Sequence, residues 1–404
     1  MNIKYCLFED EYFENFQPLT LTRPLYDLRV GIFTLAEKWK LTLGVDYDLL
    51  GPLRDHLKGV FHEPELHDKT DDVVWINPRF IPTKKLGEQV KSLKLNESII
   101  YEDQLVAAHI DGKTHQGWLK NEIDQSKLTS QKLDVNNPTI LKNVWELFQI
   151  NGDQIRKDIE LSDKIAYGSE DIFPQTTFSK TENIYIEEGA VIEPGTILLA
   201  DKGPIYIGKN VHLMANSIVR GPAAICEKSV VKMGAKIYED TTIGPVCKVG
   251  GEISNCIFHS YSNKSHDGYT GNSVFGQWIN LGADTNTSNL KNNYGTVKVT
   301  DWKSGKEVDT GQQFIGTIMG DHSKTGINAM LNTGTLCGVC CNLFSDGYPP
   351  KFVPSFSWVS GHEIVPYHFE KAIEAMGKMM DRRSVELTPQ YQRMMKAIFD
   401  STSF

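Results

Sequence analysis

From Ile207 to Val249 an aliphatic residue returns at every sixth position: Ile207, Leu213, Val219, Ile225, Val231, Ile237, Ile243 and Val249. Two residues before each stands something small or β-branched: Ile205, Val211, Ser217, Ala223, Ser229, Ala235, Thr241 and Cys247. A helix repeats near 3.6 residues and a strand repeats at 2. A period of six fits neither alone. It fits short flat strands joined by tight corners, with about three hexapeptides closing each coil of a parallel β-helix. The sixth-position aliphatics then fill the axis, and the small partners fit where the corners crowd. The same step appears at Ile186, Ile192 and Leu198, and again at Phe275, Leu281 and Thr287. It returns weakly at Ile327, Thr333 and Val339.

The first 136 residues lack the hexad. Lys4 to Phe8 reads as an opening strand, and Thr34 to Leu43 as an amphipathic helix. Val73 to Ile76 reads as a buried strand stopped by Asn77-Pro78. Ile99 to Tyr101 and Leu105 to Ala108 suggest a strand pair around Glu102-Asp103. This mixture predicts an α/β domain over residues 1–136. Pro138 is expected to open a helix whose apolar face is Ile140, Leu141, Val144, Trp145 and Phe148, so residues 137–175 read as a helical linker. The hexad domain spans residues 176–352, interrupted by a polar excursion from Thr300 to Gln313. Residues 353–404 read as a helical cap, with helices at Phe369 to Arg382 and Pro389 to Phe399. They would cover the last coil, whose edge would otherwise be open.

Composition narrows the function. The net charge is −9 over 404 residues, and no basic run is interleaved with aromatics, so nucleic acid is a poor partner. No apolar stretch reaches membrane-spanning length and the start lacks a signal-peptide core, so the expectation is a soluble, cytoplasmic protein. Seven scattered cysteines argue against disulfides. Cys337, Cys340 and Cys341 fall in a repeat-like stretch and read as small buried residues rather than metal ligands.

The densest polar cluster runs from Asn263 through His266, Asp267 and Tyr269, followed by Asn280, Ala283, Asp284, Asn293 and Tyr294. Residues one coil apart meet in a stacked solenoid. A histidine suits taking a proton from an attacking amine, and amide groups suit an oxyanion or sugar hydroxyls. From the residues alone, a row of water-facing polar corners fits as well. His322, a turn residue, is a reserve candidate for the base.

The segment KSHDGYTGNSVFGQWINLGADTNTSNLKNNYG resembles the acetyltransferase part of the bacterial bifunctional N-acetylglucosamine-1-phosphate uridylyltransferase/glucosamine-1-phosphate acetyltransferase family (GlmU). That family runs K-A-G-H-L-x-Y-x-G, N-I-G-A-G-T and N-Y-D-G. The resemblance implies that His266 is the general base and Tyr269 a sugar-phosphate contact. It implies a sugar ligand at Asn280, a backbone contact to acetyl-CoA at Ala283, and a site pair at Asn293 and Tyr294. Glu252 falls where an acidic residue would orient the base, and Lys236 where the family has a phosphate-binding Arg. The family's E-x-K-K run reads Glu252-Ile253-Ser254-Asn255 here, so a phosphate-binding lysine is missing.

The stretch from Pro18 to Gly31 resembles the start of sugar-nucleotide pyrophosphorylases, keeping the Pro-Leu-Thr but not the glycine loop. Phe8 to Phe13 occupies the place of that loop, and Asn77-Pro78 stands where the family holds Mg²⁺ with an Asp. Arg23 and Arg29 are candidates for clamping phosphate. The whole chain resembles sugar nucleotidyltransferases of the glucose-1-phosphate thymidylyltransferase type that carry a left-handed β-helix at the C-terminus. The resemblance implies a pyrophosphorylase-like α/β domain, a left-handed parallel β-helix, C-terminal helices and a homotrimer. The implied function is acetyl-CoA-dependent acyl transfer to an amino-sugar phosphate or nucleotide sugar. Two alternatives stand beside it. One is nucleotidyl transfer to a sugar-1-phosphate, with Mg²⁺. The other is a non-catalytic scaffold that binds sugar nucleotides.

Overall fold

The computed structural model describes residues 4–46, 48–63, 72–119, 124–162, 173–361 and 363–402. Residues 163–172 of the expected linker lie outside the described residues. The chain forms two compact units. The first is Met1–Phe13, Arg23–Leu28 and Phe33–Lys142, and the second is Glu14–Thr22, Arg29–Ile32 and Asn143–Phe404.

The first unit is built on a five-stranded sheet in the order Lys4–Leu7, Val73–Ile76, Gln104–Ile110, Glu97–Tyr101, Thr129–Lys132. The first pair is parallel, and the hairpin of the middle strands is antiparallel. That hairpin turns at Glu102 and Asp103, both with positive φ (47° and 62°). The all-apolar run Val73–Ile76 is buried along its whole length, as a strand covered on both faces requires. Trp75 packs edge-on against Trp118 at 5.3 Å, and its indole N–H donates to His115 Nδ1 at 2.9 Å. Helix Leu35–Leu43 opens with a capping box between Thr34 and Glu37 and closes at Gly44 in the left-handed region.

The helix expected after Pro138 does not begin there. Phe80 bridges Ile140, Ile81 N donates to Thr139 O, and Leu141 N donates to Arg79 O. The segment is extended because its backbone groups are used in pairing. Among the described residues of the expected linker, helix is confined to Glu146–Gln149 and Asn151–Leu161.

The second unit is a β-solenoid of about 10 turns, of the left-handed β-helix type, followed by two helices. All eight sixth-position aliphatics from Ile207 to Val249 are at most 1% exposed, and their eight small partners are fully buried. Strands stack in parallel register, as in Ile205–Ile207 on Ala223–Ile225 on Thr241–Ile243. The polar excursion is longer than expected. It leaves after Asn289 and returns at Ile315, whose N–H donates to Asn289 O at 3.0 Å, and it carries the hairpin Lys298–Thr300 with Glu307–Asp309. Beyond it the axial residues are Leu331, Cys337 and Leu343, two places away from the expected Thr333 and Val339 and four from Ile327. The excursion resets the phase, and Ile327 is 73% exposed.

Cys337, Cys340 and Cys341 are free and buried in the stack. The helices Phe369–Asp381 and Pro389–Ser401 bring Phe369 and Phe399 onto Phe356 of the last coil, at 6.0 and 5.2 Å. Among the described residues no helix is long and apolar enough to cross a membrane.

Candidate functional site

One face of the solenoid carries Lys248, Asn263, Asn280 and Lys324 at the same outward position of successive coils. Each precedes an inward residue, so alternation along the short strand turns it out. With Lys232 and the corner residues Ser265 and His266 they form one wall of a cleft of about 610 Å³. The other wall is Lys378, Met379, Arg382 and Arg383, from the first C-terminal helix and the turn after it. Six cations line this cleft and no carboxylate does. Arg383 donates to Asn263 Oδ1 at 2.9 Å. Crowding by Arg383, with partial burial, pulls the Lys248 ammonium below its usual range. Burial does the same to Lys324, whose Nζ donates to His322 O at 3.1 Å.

His266 stands exposed at the corner that ends this face, and its ring has no hydrogen bond among the described residues. Continuing the Asn263–Asn280 register by three residues puts Ala283 directly over His266. The bond from Asp284 N to Asp267 O at 3.0 Å agrees. The Ala283 carbonyl accepts from Asn328 N at 2.8 Å, whereas its own N–H has no partner among the described residues. An exposed imidazole with an unengaged donor one coil above it can take a proton and steady an oxyanion. Beneath the corner, on the axis, Lys264 replaces an aliphatic residue. It is fully buried, and its Nζ donates to the carbonyls of His266 and Asp267.

The structure groups His266, Asn280 and Ala283, but not all the expected residues. Lys236, Glu252 and Tyr269 form a ladder on the next face, in register across three coils. Glu252 makes no hydrogen bond to His266 among the described residues. Tyr269 points along the second face into a separate cleft of about 540 Å³, with its hydroxyl accepting from Asn289 Nδ2 at 3.1 Å. Asn293 and Tyr294 lie in the excursion. Asn293 Oδ1 accepts from Gly295 N, and Tyr294 is 68% exposed. Neither lines either cleft. The insertion before them carries them out of the stack. His322 is fully buried and shares a 2.9 Å hydrogen bond with the Tyr391 hydroxyl, so it braces the cap rather than meeting a substrate.

Sequence reasoning missed the six cations. Lys248 and Lys324 each sit one place before an inward residue, and the KMMDRR run ends a helix. Both signals were visible, but only the cap's position joins them.

In the first unit a cleft of about 390 Å³ opens where the first strand ends, lined by Glu9, Asp10, Glu11, Asn77 and Asp103 among others. Asp10 is held by Arg79 through Nε at 2.9 Å and accepts from Asn77 Nδ2 at 2.7 Å. Glu9 pairs with Arg54 at 2.9 Å. This donor set does not fit a magnesium ion, because its central carboxylate already serves a guanidinium. No group of three His, Cys, Asp or Glu among the described residues could hold a metal. The expected phosphate clamp is also absent. Arg23 is 1% exposed and bonded to Asp27, and Arg29 is buried and donates to Ile32 O. Neither lines this cleft.

Residues 5–165 match the family model described as sugar nucleotidyl transferase. A bifunctional sugar-1-phosphate nucleotidylyltransferase/acetyltransferase of Sulfurisphaera tokodaii is 30% identical over 161 residues, covering 40% of this chain and 35% of the relative. The bifunctional protein GlmU of Methanococcus maripaludis is 30% identical over 235 residues, covering 54% and 46%. That of Methanococcus vannielii is 27% identical over 274 residues, covering 65% and 62%. The chain thus spans about a third of the length of the Sulfurisphaera relative and under half of the M. maripaludis one. Among solved structures, the UDP-N-acetylglucosamine acyltransferase of Francisella novicida aligns over 56% of this chain and 77% of that one, at 14% identity and a TM-score of 0.24. The chain is thus similar to GlmU proteins, with a nucleotidyltransferase-like first unit and a β-solenoid second.

Proposed function

We propose that the solenoid transfers an acetyl group from acetyl-CoA to the amine of an amino-sugar phosphate or nucleotide sugar. The observation that carries this reading is the exposed His266 ring beneath the unengaged Ala283 N–H, at the rim of a cleft walled by six cations. A CoA thioester brings phosphates that such a cleft attracts. The amine nitrogen attacks the thioester carbon while His266 takes its proton. The C–N bond forms, the Ala283 N–H steadies the oxyanion, the C–S bond breaks, and the sulfur leaves as thiol after protonation by the imidazolium. The acceptor approaches from the second face, where Lys236 and Tyr269 lie. Assembly as a trimer and a cytoplasmic location belong to the same proposal, and sedimentation of the purified chain tests the first.

The test is acetyl-CoA consumption against a panel of amino sugars and their phosphates, repeated with His266→Ala. General-base help is worth about 10²–10⁴-fold, so turnover should fall by that order with the fold retained. An unchanged rate would refute the assignment.

The match of residues 5–165 favours a second reading, nucleotidyl transfer in the first unit. Pyrophosphate release from UTP or dTTP with glucose-1-phosphate would support it. The engaged Asp10 and the uncharged Asn77 weigh against it.

A further inference from the structure

The second cleft follows one corner of the solenoid for several coils. Gly221 lies against Gly203, Asp240 N donates to Pro222 O, Asn255 N to Glu239 O, and Gly316 N to Asn272 O. Asn255 and Asn272 are joined by the Cys256–Ser273 pairing beside them. Five inter-strand steps at about 4.8 Å make a groove on the order of 24 Å long. A hexose with one phosphate covers roughly two such steps. The groove is therefore longer than a sugar monophosphate needs.

Its groups are unlike those of the cationic cleft. Phe314, 47% exposed, presents a large ring where the excursion rejoins the stack. The Asp240 carboxylate has no ion pair and no hydrogen bond among the described residues. Burial pushes its pKa up. Asn255 Oδ1 and Arg156 Nη1 are buried without partners, while Arg156 Nη2 donates to Lys202 O. Glu239 is taken up by Lys202 at 2.6 Å. An aromatic face suits a base, a carboxylate suits the diol of a ribose, and the positive charge of Arg156 beside them suits a phosphate. A sugar monophosphate would leave the ring and the carboxylate idle.

We infer that this groove holds the nucleoside of a nucleoside-diphosphate sugar, so that the acceptor is a nucleotide-linked amino sugar rather than a free sugar phosphate. The word acceptor rests on the acyl-transfer reading; the binding does not.

The experiment is calorimetric titration of the full chain with UDP and with dTDP. At least one should bind saturably. Phe314→Ala should weaken that binding about tenfold or more, and Asp240→Asn should also weaken it. Arg383→Met, in the other cleft, should leave it unchanged. Circular dichroism checks that each variant folds. No binding of either nucleotide at millimolar concentration would overturn the inference. So would loss through Arg383→Met with Phe314→Ala neutral, or displacement of the nucleotide by desulfo-CoA. Failure of the acyl-transfer reading would look different: nucleotide binding intact, with no acetyl-CoA consumed on any amino sugar.

Discussion

The ammonium of Lys264 lies 2.9 Å from the carbonyl oxygen of His266 and 3.1 Å from that of Asp267, inside the coil whose corner carries the imidazole. Its neighbours in the column are Val249 and Leu281, so a charge occupies a position otherwise apolar. Two carbonyls that would be turned toward the axis without donors are satisfied by one side chain.

Burial pushes the Lys264 ammonium down to about 8 from 10.5. Between those values the unfolded chain holds the proton and the native chain has lost it. Stability from this group therefore rises with pH from about 8 to 10.5, and is least below 8, where both states are charged. Lys264→Met lacks this dependence. Urea midpoints of the two proteins at pH 7 and pH 10 should show the wild type gaining on the variant as pH rises. Parallel midpoints would show that Lys264 is not desolvated as its position requires.

The cationic cleft makes a separate prediction. Arg383 faces Lys248 and Asn263 with no carboxylate among the lining residues. Hydrogen bonds to charged groups are worth about 1.5–3 kcal/mol, so Arg383→Met should raise the KM for acetyl-CoA roughly 10–100-fold with a smaller change in kcat. Affinity of the wild type should also fall as salt rises. A KM that ignores both the substitution and the salt would place the thioester elsewhere.

The solenoid was legible in the sequence because each coil repeats the same steric demand. Ile243 stands between Ile225 and Phe258 in the stack and is fully buried, as its place in the period implies. Ile243→Ala should cost about 2–5 kcal/mol, whereas Ile327→Ser, on the exposed corner, should change stability by about 0.5 kcal/mol or less. Denaturant titration of both variants checks the contrast. The phase beyond Thr287 was not legible, since an excursion of unknown length erases the count. The site was half legible. His266, Asn280 and Ala283 follow from spacing within consecutive coils. Tyr269 turns onto another face because one corner intervenes, and Arg382 and Arg383 join only through packing of a distant helix.

In the first unit, Asp10 is the test of what its cleft has become. Arg79 is 1% exposed, sits 4.2 Å over the Tyr12 ring, and also donates to Gln104 and to Leu141 O. Asp10→Ala would leave this guanidinium buried without its counter-charge, which costs about 3–5 kcal/mol. Replacing a metal-binding carboxylate behaves oppositely: removing a cluster of like charges relieves repulsion when no cation is present. Thermal unfolding of the metal-free chain should therefore show Asp10→Ala destabilised. Added Mg²⁺ should not stabilise the wild type, because the Asp10 carboxylate is already engaged by Arg79 and Asn77. A stabilised Asp10→Ala variant, or a wild type whose midpoint climbs with Mg²⁺, would instead mark Asp10 as a ligand and restore nucleotidyl transfer as the leading reading for this unit.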